Sequence, residues 1–130
     1  MVGIVLVSHS AEIATGLARL AAEVAGDEVR IEAAGGGPDG CLGTSGDIVK
    51  AAIDRADQGQ GVVVLGDLGS SILTVRSLLA DELSGTNGHV KFADAPFVEG
   101  AVAAAVVASA GLDLGDVVKA AEETRGVSKL

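Results

Sequence analysis

Apolar residues alternate between two spacings along this chain. Val2 to Val7 is a short run of mostly branched apolar residues, as a buried strand requires. After Ser8-His9-Ser10, apolar side chains recur at Ile13, Leu17, Leu20 and Val24, at steps of four, three and four, which places them on one helical face. Ser10 is placed to cap that helix, and Glu12 puts a carboxylate in its first turn, beside the unpaired amides and the positive helix end. The unit then repeats. Val29 to Ala34 predicts a second strand, and Gly35 to Gly43 a glycine-rich loop. Thr44 with Asp47 three residues on has the form of a capping box opening a helix through Ala56. Val62 to Leu65 predicts a third strand, buried on both faces. Gly66-Asp67-Leu68-Gly69-Ser70-Ser71 turns the chain into a helix carrying Ile72, Val75, Leu79 and Leu83. A turn from Ser84 to Gly88 precedes a fourth strand around His89 to Ala93. After Pro96 the chain reads as a buried helix of small residues over Val98 to Ala110, a break at Gly111, and a last amphipathic helix from about Asp113 to Thr124.

Strands alternating with helices predict an α/β fold: a single domain over residues 1–130, with a parallel four-stranded sheet, helices on both faces and right-handed crossovers. The length suits one core and leaves little for a second. Hydrophobic residues make up 48% of the chain and aromatics 2%, so Val, Ile, Leu and Ala must build that core, with 19 glycines allowing close approach. The apolar segment around Ala101 to Ala110 falls short of the roughly 20 residues that span a bilayer. The first residues carry no basic segment of the secretory kind, and the one cysteine, Cys41, has no internal partner, so the cytoplasm is the expected compartment.

Charge narrows the partners. Nine basic and eighteen acidic side chains give a formal net charge of −9, a field that repels nucleic acid and anionic lipid and favours a basic protein. In a parallel sheet ligands sit beyond the carboxyl ends of the strands, where strand order reverses. Three strand ends converge there: His9 after the first, the Gly35 to Ser45 loop after the second, and Asp67 to Ser71 after the third. An imidazole at that edge can serve as nucleophile, base or metal ligand, and a carboxylate on its other ring nitrogen fixes its tautomer. Asp67 is the carboxylate positioned for it. Ser10, Thr44, Ser70 and Ser71 stand at helix starts, where free amides receive an anion. The edge as read carries neither lysine nor arginine, which suits a phosphoryl group held briefly and given away.

Each feature also has a plainer reading. His9 can be a surface or capping residue, Asp67-Leu68-Gly69-Ser70 an ordinary turn, and Ser10, Thr44 and Ser71 simple helix caps. His89 reads as structural or exposed. Gly35, Gly37 and Gly40 match G-x-G-x-x-G, but Pro38 lies inside the match and no helix opens within it. A Walker A sequence is absent, and one cysteine with two distant histidines offers no metal-ligand spacing. A receiver domain phosphorylated on Asp67 fits the third strand, yet the first strand ends in His9 where an acidic pair is needed.

Val5-Leu6-Val7-Ser8-His9-Ser10, Ala33-Ala34-Gly35-Gly36 followed by Gly43-Thr44-Ser45, and Gly66-Asp67-Leu68-Gly69-Ser70-Ser71 together resemble the phosphotransferase subunits of phosphoenolpyruvate-dependent dihydroxyacetone kinases, which have the mannose-type enzyme IIA fold. The resemblance runs the length of the chain. It implies a strand order of 2-1-3-4, a homodimer, and a histidine matching His9 that is transiently phosphorylated on Nε2. It implies the phosphocarrier protein HPr as donor. It also implies onward transfer to ADP in the kinase's nucleotide-binding subunit, the ATP so formed phosphorylating dihydroxyacetone in another subunit. Asp67 would orient His9, and Ser10, Thr44, Ser70, Ser71 and the Gly69 amide would surround the phosphate, with no cofactor. Sugar-transport components of the mannose type are the close alternative; they carry an Asp-Leu-Phe-Gly-Gly-Ser loop and an extra C-terminal strand that this sequence lacks. A non-catalytic module binding a nucleotide or small anion is the alternative of another class.

Overall fold

The computed structural model describes residues 1–81 and 88–130. The chain runs β1 (Gly3–Ser8), α1 (Ala11–Ala25), β2 (Ile31–Gly35), α2 (Gly46–Ala56), β3 (Val62–Gly66), α3 (Ser70–Ala80), β4 (Val90–Phe92), α4 (Phe97–Ser109) and α5 (Leu114–Glu123), and a 3-10 turn, Thr124–Gly126, ends the last helix. The expected place of Leu83 and most of the turn before Gly88 lie outside the described residues. The four strands pair in parallel in the order β2-β1-β3-β4, with Val5 opposite Glu32 on one side and Val64 on the other.

Two apolar clusters lie on the two faces of this sheet. Ile4, Leu6, Val63 and Leu65 point one way, onto Leu17 and Ala21 of α1, Ala101, Ala104, Ala105 and Ala108 of α4, and Val117 and Ala121 of α5. Val5, Val7, Val62 and Val64 point the other way, onto Val49, Ala52, Ile53 and Ala56 of α2 and Val75 and Leu78 of α3. Alternation within unbroken apolar strands therefore feeds both cores, which is why β1 and β3 show no polar face.

Helices lie very close to the sheet where side chains are small. A Cβ on Gly3 would stand 2.1 Å from the Ala56 carbonyl oxygen, and one on Gly35 would stand 2.7 Å from both the Ala11 Cα and the Ser10 oxygen. That closeness corrects the reading of α1. Ala14, Leu17 and Ala21 face the core, while Ile13, Leu20 and Val24 remain 47%, 45% and 43% exposed. The start of α2 differs as well: Ser45, one residue beyond Thr44, is the cap, its hydroxyl accepting from the Ile48 amide at 3.4 Å. Asp113 caps α5 by accepting from the Asp116 amide at 2.9 Å.

Candidate functional site

β1 delivers His9 to the carboxyl edge of the sheet one residue past its end, and β3 delivers Asp67 in the same way. The two strands are paired neighbours, with Val7 opposite Gly66, so residues far apart in sequence arrive side by side. His9 Nδ1 lies 2.5 Å from Asp67 Oδ2. The His9 backbone is held from both sides: its amide donates toward the same carboxylate at 3.3 Å, and its carbonyl accepts from the Gly43 amide at 2.9 Å. The ring is 29% exposed, and Nε2 has no protein partner among the described residues.

Asp67 is surrounded by donors. Ser8 donates to Oδ2 at 2.7 Å, Ser71 to Oδ1 at 2.6 Å, and the Leu68 amide to Oδ1 at 2.7 Å. Burial raises the carboxyl's pKa, but the hydrogen bonds from Ser71, Ser8, the Leu68 amide and His9 outweigh it and hold the group at about 2. Asp67 is therefore ionised at neutral pH, acting only as an acceptor, and a neutral His9 bonded to it carries its proton on Nδ1. Nε2 is then the nitrogen with the free lone pair, facing solvent, where it can attack an electrophile.

The hydroxyl groups around this pair divide into two kinds. Thr44 Oγ1 and Ser70 Oγ lie 2.9 Å apart on the exposed rim, joining the loop after β2 to the first turn of α3. Thr44 is available there because the cap of α2 has passed to Ser45. Gly69 precedes α3 with a φ of +55°, a left-handed conformation that glycine adopts without strain, and no side chain caps the first amides of the helix. Ser71 and Ser10, by contrast, are turned inward. Ser71 is fully buried and donates to Asp67, and Ser10 caps α1 while donating to Glu12 at 3.1 Å. The Ser71 hydroxyl therefore supports the carboxylate, and the Ser10 hydroxyl is taken up by its own helix.

Ser8 escaped the sequence reading; its signal was its position as the last strand residue beside the histidine, on the edge where Asp67 arrives. Arg76 escaped it too. It lies on α3, and lines a cavity of about 500 Å³ with Gly66, Asp67, Ile72, Phe92 and Asp94, so an arginine does reach this edge. Leu42, Leu68 and Leu73 are exposed around the same rim. His89 sits elsewhere, its Nε2 2.9 Å from Asp57 Oδ1, and that contact lowers the Asp57 pKa. No cluster of His, Cys, Asp and Glu suited to a metal ion occurs among the described residues, nor any helix long and apolar enough to cross a membrane.

Comparison with known proteins shows the family. A family model described as the PTS system fructose IIA component, EIIA-man, matches residues 3–120. A Listeria innocua protein named as the phosphoryl donor subunit DhaM of PEP-dependent dihydroxyacetone kinase 2 is 41% identical over 108 residues, covering 82% of this chain and 85% of the relative. The Lactococcus lactis phosphotransferase subunit DhaM of a PTS-dependent dihydroxyacetone kinase is 38% identical, with 84% of each chain covered. The Escherichia coli DhaM is 36% identical over 91% of this chain, which spans only 26% of that longer relative. A crystal structure of a protein of unknown function superposes with a TM-score of 0.79 at 32% identity, covering 94% of both chains. The chain belongs to the EIIA-man family.

Proposed function

We propose that this chain is a phosphoryl carrier, the phosphoryl donor subunit of a dihydroxyacetone kinase. In this reading His9 takes a phosphoryl group from phospho-HPr on Nε2 and passes it to ADP held in the kinase's nucleotide-binding subunit. The observation that carries it is the bond of 2.5 Å between His9 Nδ1 and Asp67 Oδ2, which leaves Nε2 as the outward nucleophile. Asp67, ionised, stabilises the proton on Nδ1, so the ring presents a lone pair when empty and leaves as neutral imidazole when the group departs. Thr44, Ser70 and the amides opened by Gly69 supply donors to the phosphate oxygens. The names of the Listeria and Lactococcus relatives, most of whose length this chain covers, support the kinase role. A homodimer belongs to the same reading, and sedimentation equilibrium measures it.

Incubation with phosphoenolpyruvate, enzyme I and HPr is expected to add one acid-labile phosphoryl group per chain. His9→Ala abolishes the label and Asp67→Ala slows its appearance. An unlabelled wild-type chain, under conditions that label a control acceptor, refutes the reading. The family model's description as a sugar-system component favours a second reading, transfer into sugar transport. Adding both kinase subunits with dihydroxyacetone separates the two, since only the kinase role yields dihydroxyacetone phosphate.

A further inference from the structure

We infer that Arg76 receives the diphosphate of the incoming acceptor, and so is the positioning residue that distinguishes discharge of the site from its loading. The inference rests on the phosphoryl-carrier reading above. Its starting point is an electrostatic difficulty. The chain carries a net charge of −9, and the cavity lined by Asp67, the partner of His9, has a second carboxylate in Asp94. A basic donor protein is attracted to such an edge. A nucleoside diphosphate, itself a polyanion, is repelled by it.

The cavity contains one group that reverses this. Arg76 is exposed on α3, two turns from the Ser70 start, and lines the cavity with Asp67, Ile72 and Phe92. Among the described residues it makes no hydrogen bond or ion pair. Its neighbour in charge, Arg125, is already engaged with Asp94 at 2.8 Å, and the Asp94 amide is bound to Glu122 at 2.9 Å. Asp67 is likewise satisfied by Ser8, Ser71 and His9. Of the charged groups in the cavity, the guanidinium alone retains all its donors for an incoming oxyanion, and its planar fork matches a phosphate edge.

In the step itself the N–P bond at His9 breaks with its electron pair returning to Nε2, while a terminal oxygen of the diphosphate forms the new O–P bond. The Nδ1 proton stays directed at Asp67 throughout. Arg76 does not touch the transferring group; it offsets the repulsion between the acceptor's diphosphate and the two carboxylates and so fixes where the attacking oxygen stands.

The test separates the two half-reactions. Wild type, Arg76→Ala, Arg76→Lys and Arg76→Glu are phosphorylated on His9 and mixed with the ADP-loaded nucleotide-binding subunit, and ATP formation is followed by rapid quench over a range of acceptor concentrations. Arg76→Ala is expected to raise the half-saturating concentration about tenfold, equivalent to ~1.4 kcal/mol. Lysine recovers most of the loss, glutamate deepens it, and added salt narrows the differences. The loss in discharge exceeds any loss in loading from phospho-HPr. Alanine and glutamate variants that discharge like wild type overturn the inference, as does an equal loss in both half-reactions. A phosphorylated wild-type chain that forms no ATP at all refutes the carrier reading instead, and this inference falls with it.

Discussion

Asp67→Asn isolates the contribution of one negative charge with little change of shape. Asparagine keeps the volume and one acceptor oxygen, but puts an amide where Ser8, His9 and Ser71 now direct donors at a carboxylate. In the folded chain the carboxyl's pKa is about 2 against an ordinary 3.8. Because the folded value is the lower one, the stabilisation is fully present above about pH 4 and disappears as pH falls toward 2. At ~1.4 kcal/mol per pH unit the charge is worth about 2 kcal/mol at neutral pH. Urea denaturation of both proteins, followed by far-UV circular dichroism between pH 7 and pH 2, should show the variant about 2 kcal/mol less stable on the neutral side. The two should converge at the acid end. A constant gap across the range, or none at neutral pH, would show that the Asp67 contacts do not stabilise the ionised form and refute the account of the site's electrostatics.

Further outcomes follow from the packing and the hydrogen bonds. Ser71→Ala removes the buried donor to Asp67 and should cost about 1.5–3 kcal/mol, with the carboxyl's pKa, read by NMR, moving upward. Gly3→Ala drives a methyl group to 2.1 Å from the Ala56 carbonyl oxygen and should destabilise by about 3 kcal/mol in urea titrations, since backbone on both sides cannot yield. Gly16→Ala, on the open face of α1 with nothing within 4 Å, should instead stabilise by about 0.5–1 kcal/mol in the same titration.

The fold was largely legible in the sequence because its strands are unbroken apolar runs and its helices begin at polar caps. The meeting of His9 and Asp67 was legible too, once each was placed at a strand end. Other features were hidden for particular reasons. In α1, Ala14, Leu17 and Ala21 follow a helical period as faithfully as Ile13, Leu20 and Val24 do, and periodicity cannot say which set faces a sheet. The close seat of the helix over Gly35 selects the smaller residues. At α2, Thr44 and Ser45 are both good caps, and only the three-dimensional bridge from Thr44 to Ser70 decides between them. Ser71 reads as a helix-start residue beside free amides, yet its side chain is fully buried and its hydroxyl donates to the carboxylate. Arg76 carries no motif, and only the fold shows that it lines the cavity beside Asp67.

The peptide groups of His9 are anchored from opposite directions, by Asp67 on the amide and by Gly43 on the carbonyl. In the carrier proposed above, a phosphate arriving on the imidazole would meet a main chain held on both sides, so the empty and charged forms would share nearly one outline and differ by up to two negative charges. A protein that must tell them apart has to sense the field above the sheet edge, because the contour beneath it scarcely changes.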